Sequence, residues 1–177
     1  NPRVAVLVAS QLKDVVDSVT SQTYKNIGDY YPQDGESIST FFNNGLKLAK
    51  ESGYKIVVFL NDENYFLTND AVQKIVDKFV KEEYNIAGIY TDIKDMSNNL
   101  VQYLPSFNKE AFIMNRFTLN NTLAINIDCL KEFSFNEEIK HLQLVQLFKF
   151  MVHRFNLTHY ADTLIAHTQQ NKDVNED

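Results

Sequence analysis

The chain has 177 residues, 44% of them hydrophobic and 23% charged, which suits one domain with a single buried core. Its formal net charge of −6 argues against a nucleic-acid partner, because non-specific phosphate binding needs clustered Lys and Arg. Cys129 is the only cysteine, so an internal disulfide is excluded and a cytoplasmic location is expected. No hydrophobic run approaches the ~18 residues of a membrane span. The sequence opens on a strand-like segment, which leaves open further domains of a longer chain.

The first half alternates short hydrophobic runs with amphipathic segments. The runs are rich in β-branched and aromatic residues, as buried strands are, and the segments repeat hydrophobic residues at helical spacing. The predicted strands span 4–8, 30–31, 56–60 and 86–90, and the predicted helices span 11–22, 38–50 and 72–80. This alternation predicts an α/β domain with a mainly parallel central sheet flanked by helices.

The pattern after residue 92 is less regular. It predicts strands at 100–104, 111–117 and 123–127, and a helix over 137–154. Residues 169–177 contain one hydrophobic residue and are expected to form a flexible acidic tail. We therefore predict a single domain over 1–168.

Polar loops follow the predicted strands, at the edge of the sheet where open α/β domains bind ligands. These loops are 9–11, 33–36 and 61–64, and the last two carry the carboxylates of Asp34, Glu36, Asp62 and Glu63. Neighbouring carboxylates are costly unless a cation or a proton relieves their repulsion, and Mg²⁺ or Mn²⁺ prefers such oxygen ligands. The alternative interpretation is that these residues only end strands in solvated turns.

Four segments resemble the family 2 glycosyltransferases. Residues 17–27 read Asp-Ser-Val-Thr-Ser-Gln-Thr-Tyr-Lys-Asn-Ile, which resembles the end of that family's first helix. Three further segments fall where the family has Asp-Asp-Gly-Ser, Arg-Asn-x-Gly-Leu and Phe-Leu-Asp-x-Asp-Asp. They read Gln-Asp-Gly-Glu at 33–36, Asn-Asn-Gly-Leu at 43–46 and Phe-Leu-Asn-Asp-Glu-Asn at 59–64. A weaker likeness, to a stretch that ends in Gly-Phe-Asp-Glu, extends to about residue 140.

The resemblance implies a GT-A fold, with a nucleotide-binding half over 1–92 and an acceptor and catalytic half over 93–168. It implies a nucleoside-diphosphate sugar donor, UDP-linked, an acceptor hydroxyl on a glycan or other molecule, and a Mn²⁺ or Mg²⁺ cofactor. The metal would neutralise charge on the leaving diphosphate. Donor-binding positions are Ala9, Ser10, Gln33, Asp34, Asn43, Asn61 and Asp62, and metal positions are Asp62, Glu63 and His167.

The sequence departs from this family at its most reactive positions. Gln33 and Asn61 stand where the family has Asp, and an amide is a weaker, neutral metal ligand. The Glu-Asp pair that supplies the family's catalytic base is absent after Glu138, where residues 140–144 read Lys-His-Leu-Gln-Leu. Glu137, Glu138 or His141 is the candidate base. A neutral imidazole can accept a proton near neutral pH, although a surface histidine is more often only solvated.

These departures leave three alternatives open. The first is an active transferase, and the second is a relative that keeps the fold as a binding or scaffolding module without catalysis. A nucleotidyltransferase or an unrelated α/β binding domain is the third alternative.

Overall fold

The described part of the chain, residues 1–114, 119 and 121–167 of this computed structural model, contains eight strands and five α-helices. The strands are β1 (Val4–Val8), β2 (Ile27–Tyr30), β3 (Ile56–Leu60), β4 (Asn64–Phe66), β5 (Gly88–Asp95), β6 (Leu100–Gln102), β7 (Leu123–Asn126) and β8 (Leu157–His167). The helices are α1 (Lys13–Thr20), α2 (Ile38–Glu51), α3 (Ala71–Lys81), α4 (Lys109–Ile113) and α5 (Gln143–Arg154), and a 3₁₀ helix spans Ile127–Leu130. Within these ranges, every helix is too short or too polar to cross a bilayer.

The strands form one mixed sheet in the order β2-β1-β3-β7-β5-β8-β4, with β6 paired to β5. β1 is parallel to β2 and β3, and β5 is parallel to β8. β7 is antiparallel to both β3 and β5, β4 is antiparallel to β8, and β6 forms an antiparallel hairpin with β5. The prediction of an α/β domain flanked by helices is confirmed. The prediction of a mainly parallel sheet is wrong, because β4, β6 and β7 run opposite to the other strands.

Helices cover both faces of this sheet. Every residue of β1 and β3 is buried, as their continuous hydrophobic runs predict. One face packs against α2 and α5 through a cluster that includes Phe42 and Phe148, and the other packs against α1 and α3 through a cluster that includes Val19 and Phe79. α2 approaches β1 closely at Gly45, where an added Cβ would lie 2.7 Å from a methyl carbon of Leu7.

Several predicted boundaries shift for local reasons. The helix predicted over 137–154 begins only at Gln143, because residues 137–138 form a turn, residues 139–142 are irregular, and Leu142 takes a left-handed conformation with φ 62°. The strand predicted over 111–117 is wrong at its start, where the Asn108 side chain accepts a hydrogen bond from Ala111 N–H and starts α4. The rest of that prediction, and the tail 169–177, lie outside the described residues.

Candidate functional site

A cavity of about 370 Å³ opens beyond the carboxyl ends of β1 and β3. It lies between two polar walls, one formed by the turn that follows β3 and the other by the segment that leads into α5. The lining residues are Ala9, Ile38, Asn61, Asp62, Glu63, Lys140, His141, Leu142 and Gln143. The structure thus brings together predicted donor, metal and base residues from segments far apart in sequence.

The acidic wall is a tight turn that holds Asp62 and Glu63 at the end of β3. Asn61 Oδ1 accepts a hydrogen bond from Asp62 N–H at 2.9 Å, and the Asn61 carbonyl accepts one from Asn64 N–H at 3.1 Å. The Asn61 side chain therefore shapes the turn. Asp62 is exposed and Glu63 is partly buried, so both carboxylates remain open to a ligand.

His167 lies beside the acidic wall. Its Nε2 is 3.7 Å from Glu63 Oε2, because β8 pairs with β4 and sets His167 opposite Asn64. The described residues contain no cluster of three or more His, Cys, Asp or Glu side chains suited to a metal ion. Mg²⁺ is commonly bound by one or two carboxylates together with substrate phosphates. Asp62 and Glu63 are the two carboxylates of the cavity that could hold an ion in this way.

The opposite wall, residues 140–143, is continuous with a segment, residues 135–142, that α2 holds in place. Ser39 Oγ donates to the Ile139 carbonyl at 3.0 Å. The Asn43 amide donates to the Phe135 carbonyl and to Glu137 Oε1, both at 3.0 Å, and it accepts from Phe135 N–H at 2.7 Å. Asn43 was predicted to bind the donor, but its side chain is hydrogen-bonded to this segment. It borders a second cavity, of about 420 Å³, and not the 370 Å³ cavity.

The candidate bases Glu138 and His141 take different places on this segment. His141 lines the cavity, whereas Glu138 is exposed outside the lining and donates its N–H to the Asn136 side chain at 3.0 Å. After His141, the left-handed Leu142 turns the chain into α5, and the Leu142 carbonyl accepts the first helical hydrogen bond, from Gln146 N–H at 3.2 Å. The positive end of the α5 dipole therefore adjoins the cavity.

The loop after β2 lies outside this lining. Glu36 accepts hydrogen bonds from Gln33 N–H at 3.1 Å and from the Asn44 amide at 3.0 Å, so its carboxylate stabilises the turn. Gly35 allows that turn through a left-handed φ of 78°. Gln33 and Asp34 are exposed at its tip.

The loop after β1 lies between the other two, because β1 is the strand between β2 and β3. Ser10 is buried and its Oγ accepts a hydrogen bond from Leu12 N–H at 3.1 Å. The Gln11 amide donates to the Pro32 carbonyl, which ties this loop to the one after β2. Of its two predicted donor residues, Ala9 lines the cavity and Ser10 supports the loop.

One buried polar contact was missed by the sequence analysis. His159 Nε2 lies 2.8 Å from Asp92 Oδ1, with the two side chains only 12% and 6% exposed. Asp92 Oδ1 also accepts from Leu104 N–H at 2.8 Å, and the Tyr90 ring stacks on His159 at 5.2 Å between centroids. Burial raises the pKa of the Tyr90 hydroxyl, which donates to the Pro105 carbonyl. These contacts join β5 to β8 and hold the segment after β6. Asp92 lies just beyond the hydrophobic run 86–90, and no local pattern indicated that it would be buried.

No known protein-family profile matches the sequence, and no curated protein matches it. Among solved structures, the chain resembles A197 from STIV with a TM-score of 0.52 at 12% identity, over 92% of this chain and 83% of that one. At this identity the likeness concerns the fold alone. The fold is a mixed α/β domain with a curled, mostly open sheet, which is consistent with the GT-A type.

Two further likenesses have lower TM-scores. A structure described as a nucleotide-diphospho-sugar transferase of Desulfovibrio desulfuricans G20 gives 0.41 at 9% identity, over 93% of this chain and 60% of that one. A glycosyltransferase involved in glycosylation of the major capsid of PBCV-1 gives 0.48 at 10% identity, over 94% and 93%.

Proposed function

We propose that this chain is a nucleotide-sugar glycosyltransferase domain that holds the diphosphate of its donor in the 370 Å³ cavity. One observation carries the proposal. The turn at 61–63 resembles the family's diphosphate and metal motif, and it faces residues 140–143, where the family has its catalytic base. The meeting of these segments in one cavity supports transfer of the sugar to an acceptor hydroxyl on a glycan or another molecule.

The donor is oriented along the three loops at the carboxyl ends of β2, β1 and β3. The exposed tip with Gln33 and Asp34 receives the base or ribose of a UDP-sugar, and the diphosphate lies towards Asp62. Asp62 and Glu63 would hold a Mn²⁺ or Mg²⁺ ion together with the diphosphate, and His167, whose Nε2 lies 3.7 Å from Glu63 Oε2, would border the same ion. When bound, the metal supplies charge neutralisation to the leaving group.

His141 is the proposed catalytic base. The acceptor oxygen forms the new bond to the anomeric carbon while the bond from that carbon to the diphosphate breaks, and the hydroxyl proton passes to the imidazole. His141 is favoured over Glu138 because it borders the cavity. The held segment 135–142 keeps it close to the donor.

The proposal is tested by calorimetric titration of UDP and UDP-glucose, with and without Mn²⁺, into the natural chain and into Asp62→Ala. We expect Mn²⁺ to strengthen binding, and we expect the variant to lose about tenfold in affinity when Mn²⁺ is present, since it removes one charged ligand of the metal. Asp77→Ala, on the exposed side of α3, is the matched control and leaves binding unchanged. Absence of binding by the natural chain under both conditions would overturn the proposal.

A non-catalytic binding module is the second candidate, favoured by the amides at Gln33 and Asn61 and by the absent Glu-Asp pair. The two candidates differ in whether the donor is consumed. Under the transferase proposal, UDP is released from UDP-glucose and His141→Ala slows the release while UDP still binds. Binding without any release of UDP over an acceptor screen favours the module.

A further inference from the structure

The cavity contains a cation to which the family resemblance gives no role. Lys140 borders the same space as Asp62 and Glu63, on the opposite wall. No ion pair among the described side chains includes Lys140, whereas Lys74 and Lys78 each bind a neighbouring carboxylate. Its ammonium group is therefore open to a ligand.

The backbone on both sides of Lys140 is fixed. The Ile139 carbonyl accepts hydrogen bonds from Ser39 Oγ at 3.0 Å and from the Gln143 amide at 3.4 Å. On the other side, Leu142 is held in its left-handed conformation at the start of α5. A side chain that starts from a fixed backbone loses less conformational freedom when it binds a ligand.

The carboxylates that line the cavity are unfavourable for an anionic ligand unless a cation offsets their charge. The chain carries a net charge of −6, and Asp62 and Glu63 would both repel a diphosphate. An amide at Asn61, where the family has Asp, weakens a metal site and shifts charge neutralisation to protein side chains. Lys140 is placed across the cavity to supply it.

We propose that Lys140 binds the diphosphate of the donor and stabilises it as the leaving group, beside the metal or in its absence. This inference rests on the proposed function, because it assumes that a nucleoside diphosphate occupies the cavity. Lys140 would thus be a substrate-binding residue specific to the phosphates, with no role towards the nucleoside.

The experiment compares UDP with uridine, which lacks the phosphates. Dissociation constants are measured by ligand-observed NMR for the natural chain, Lys140→Ala and Lys140→Arg at low and high salt. The matched control is Lys149→Ala, because Lys149 is exposed on α5. Thermal melting checks that each variant is folded.

We expect Lys140→Ala to weaken UDP binding about tenfold, with uridine binding unchanged and the loss smaller at high salt. Lys140→Arg retains most of the affinity, and Lys149→Ala retains all of it. The inference is overturned if Lys140→Ala binds UDP as the natural chain does, or if UDP and uridine lose affinity by the same factor. If the natural chain binds neither ligand, the proposed function fails and the inference fails with it.

Discussion

The carboxylate of Asp92 is buried almost completely, and its environment explains why that is tolerated. Oδ1 accepts hydrogen bonds from Leu104 N–H and lies 2.8 Å from His159 Nε2. Removing one member of such a buried pair costs several kcal/mol, because the other member is left without its partner. The hydrogen bond of Asp92 with Leu104 N–H also holds the chain where it leaves β6, within the range 93–168 that the resemblance assigns to the acceptor and to catalysis.

We predict that His159→Ala lowers the free energy of unfolding by about 3 kcal/mol, because it leaves the Asp92 carboxylate buried without its imidazole partner. Urea denaturation followed by circular dichroism measures the change. His153→Ala, at an exposed position on α5, serves as the control and stays within about 0.5 kcal/mol of the natural chain. An equally small effect at His159 would show that the pair contributes little to stability.

At the scale of elements, the tie between α2 and the segment 135–142 determines one wall of the cavity. Asn43 provides both a donor and an acceptor to the backbone of Phe135, and Ser39 holds Ile139. Two roles for Asn43 are therefore distinguishable, one as a structural tie and one as the donor-binding residue that the resemblance implies.

Asn43→Ala is predicted to destabilise the chain by about 1–2 kcal/mol, since it removes hydrogen bonds to a partly buried backbone. Hydrogen exchange at Phe135 N–H should speed up. Asn69→Ala, at an exposed position before α3, provides the comparison. If Asn43 instead contacts the donor, the variant loses UDP affinity with its unfolding free energy and Phe135 exchange unchanged.

Elements with a strong local pattern were predictable, and those that depend on distant partners were not. β3 and α3 follow from a continuous hydrophobic run and from helical periodicity. β4 has only three residues, which is too short to show the alternation of hydrophobic and polar residues typical of a strand. β8 mixes polar and hydrophobic residues without regular alternation, and its pairing with β5 contains register shifts. The direction of β7 depends on its pairing with β3 and β5, which no local pattern specifies.

The candidate site also has a part that could be predicted from local sequence and a part that depends on distant contacts. The polar turn after β3 was recognisable because Asn61-Asp62-Glu63 follows a buried strand directly. That Lys140 and His141 face it depends on the hydrogen bonds of Asn43 and Ser39 to segment 135–142, which join residues far apart in sequence. The sequence indicated His141 only through the spacing of the family motifs, and it indicated no role for Lys140.

For the whole molecule, the tyrosines make stability sensitive to alkaline pH. Burial, with a hydrogen bond between the Tyr30 and Tyr54 hydroxyls, raises the pKa of Tyr30 to about 12. Burial raises the pKa of Tyr90 as well. In the unfolded chain a tyrosine ionises near ~10. The raised pKa values therefore contribute stability that is fully present below pH ~10 and is lost as pH rises through the folded-state values.

We predict that the unfolding free energy falls steadily from about pH 10 towards pH 12, with ionisation of tyrosine detected at 295 nm together with the loss of structure. Tyr30→Phe should reduce this fall, because Phe has no hydroxyl to ionise. Tyr103→Phe is the control, since Tyr103 is 79% exposed. Equal alkaline sensitivity in all three proteins would contradict the assignment.

The position of β8 has a consequence for how the domain assembles in time. β4 pairs with β8, so Asn64 can pair with His167 only after roughly 100 further residues have been synthesised. β5 lies next to β8 as well, and until β8 arrives it has an open edge. Closing such long loops slows folding relative to helical proteins of the same stability. During synthesis, the half with β1, β2 and β3 can form early, while β4 and the acidic turn beside it reach their final form last.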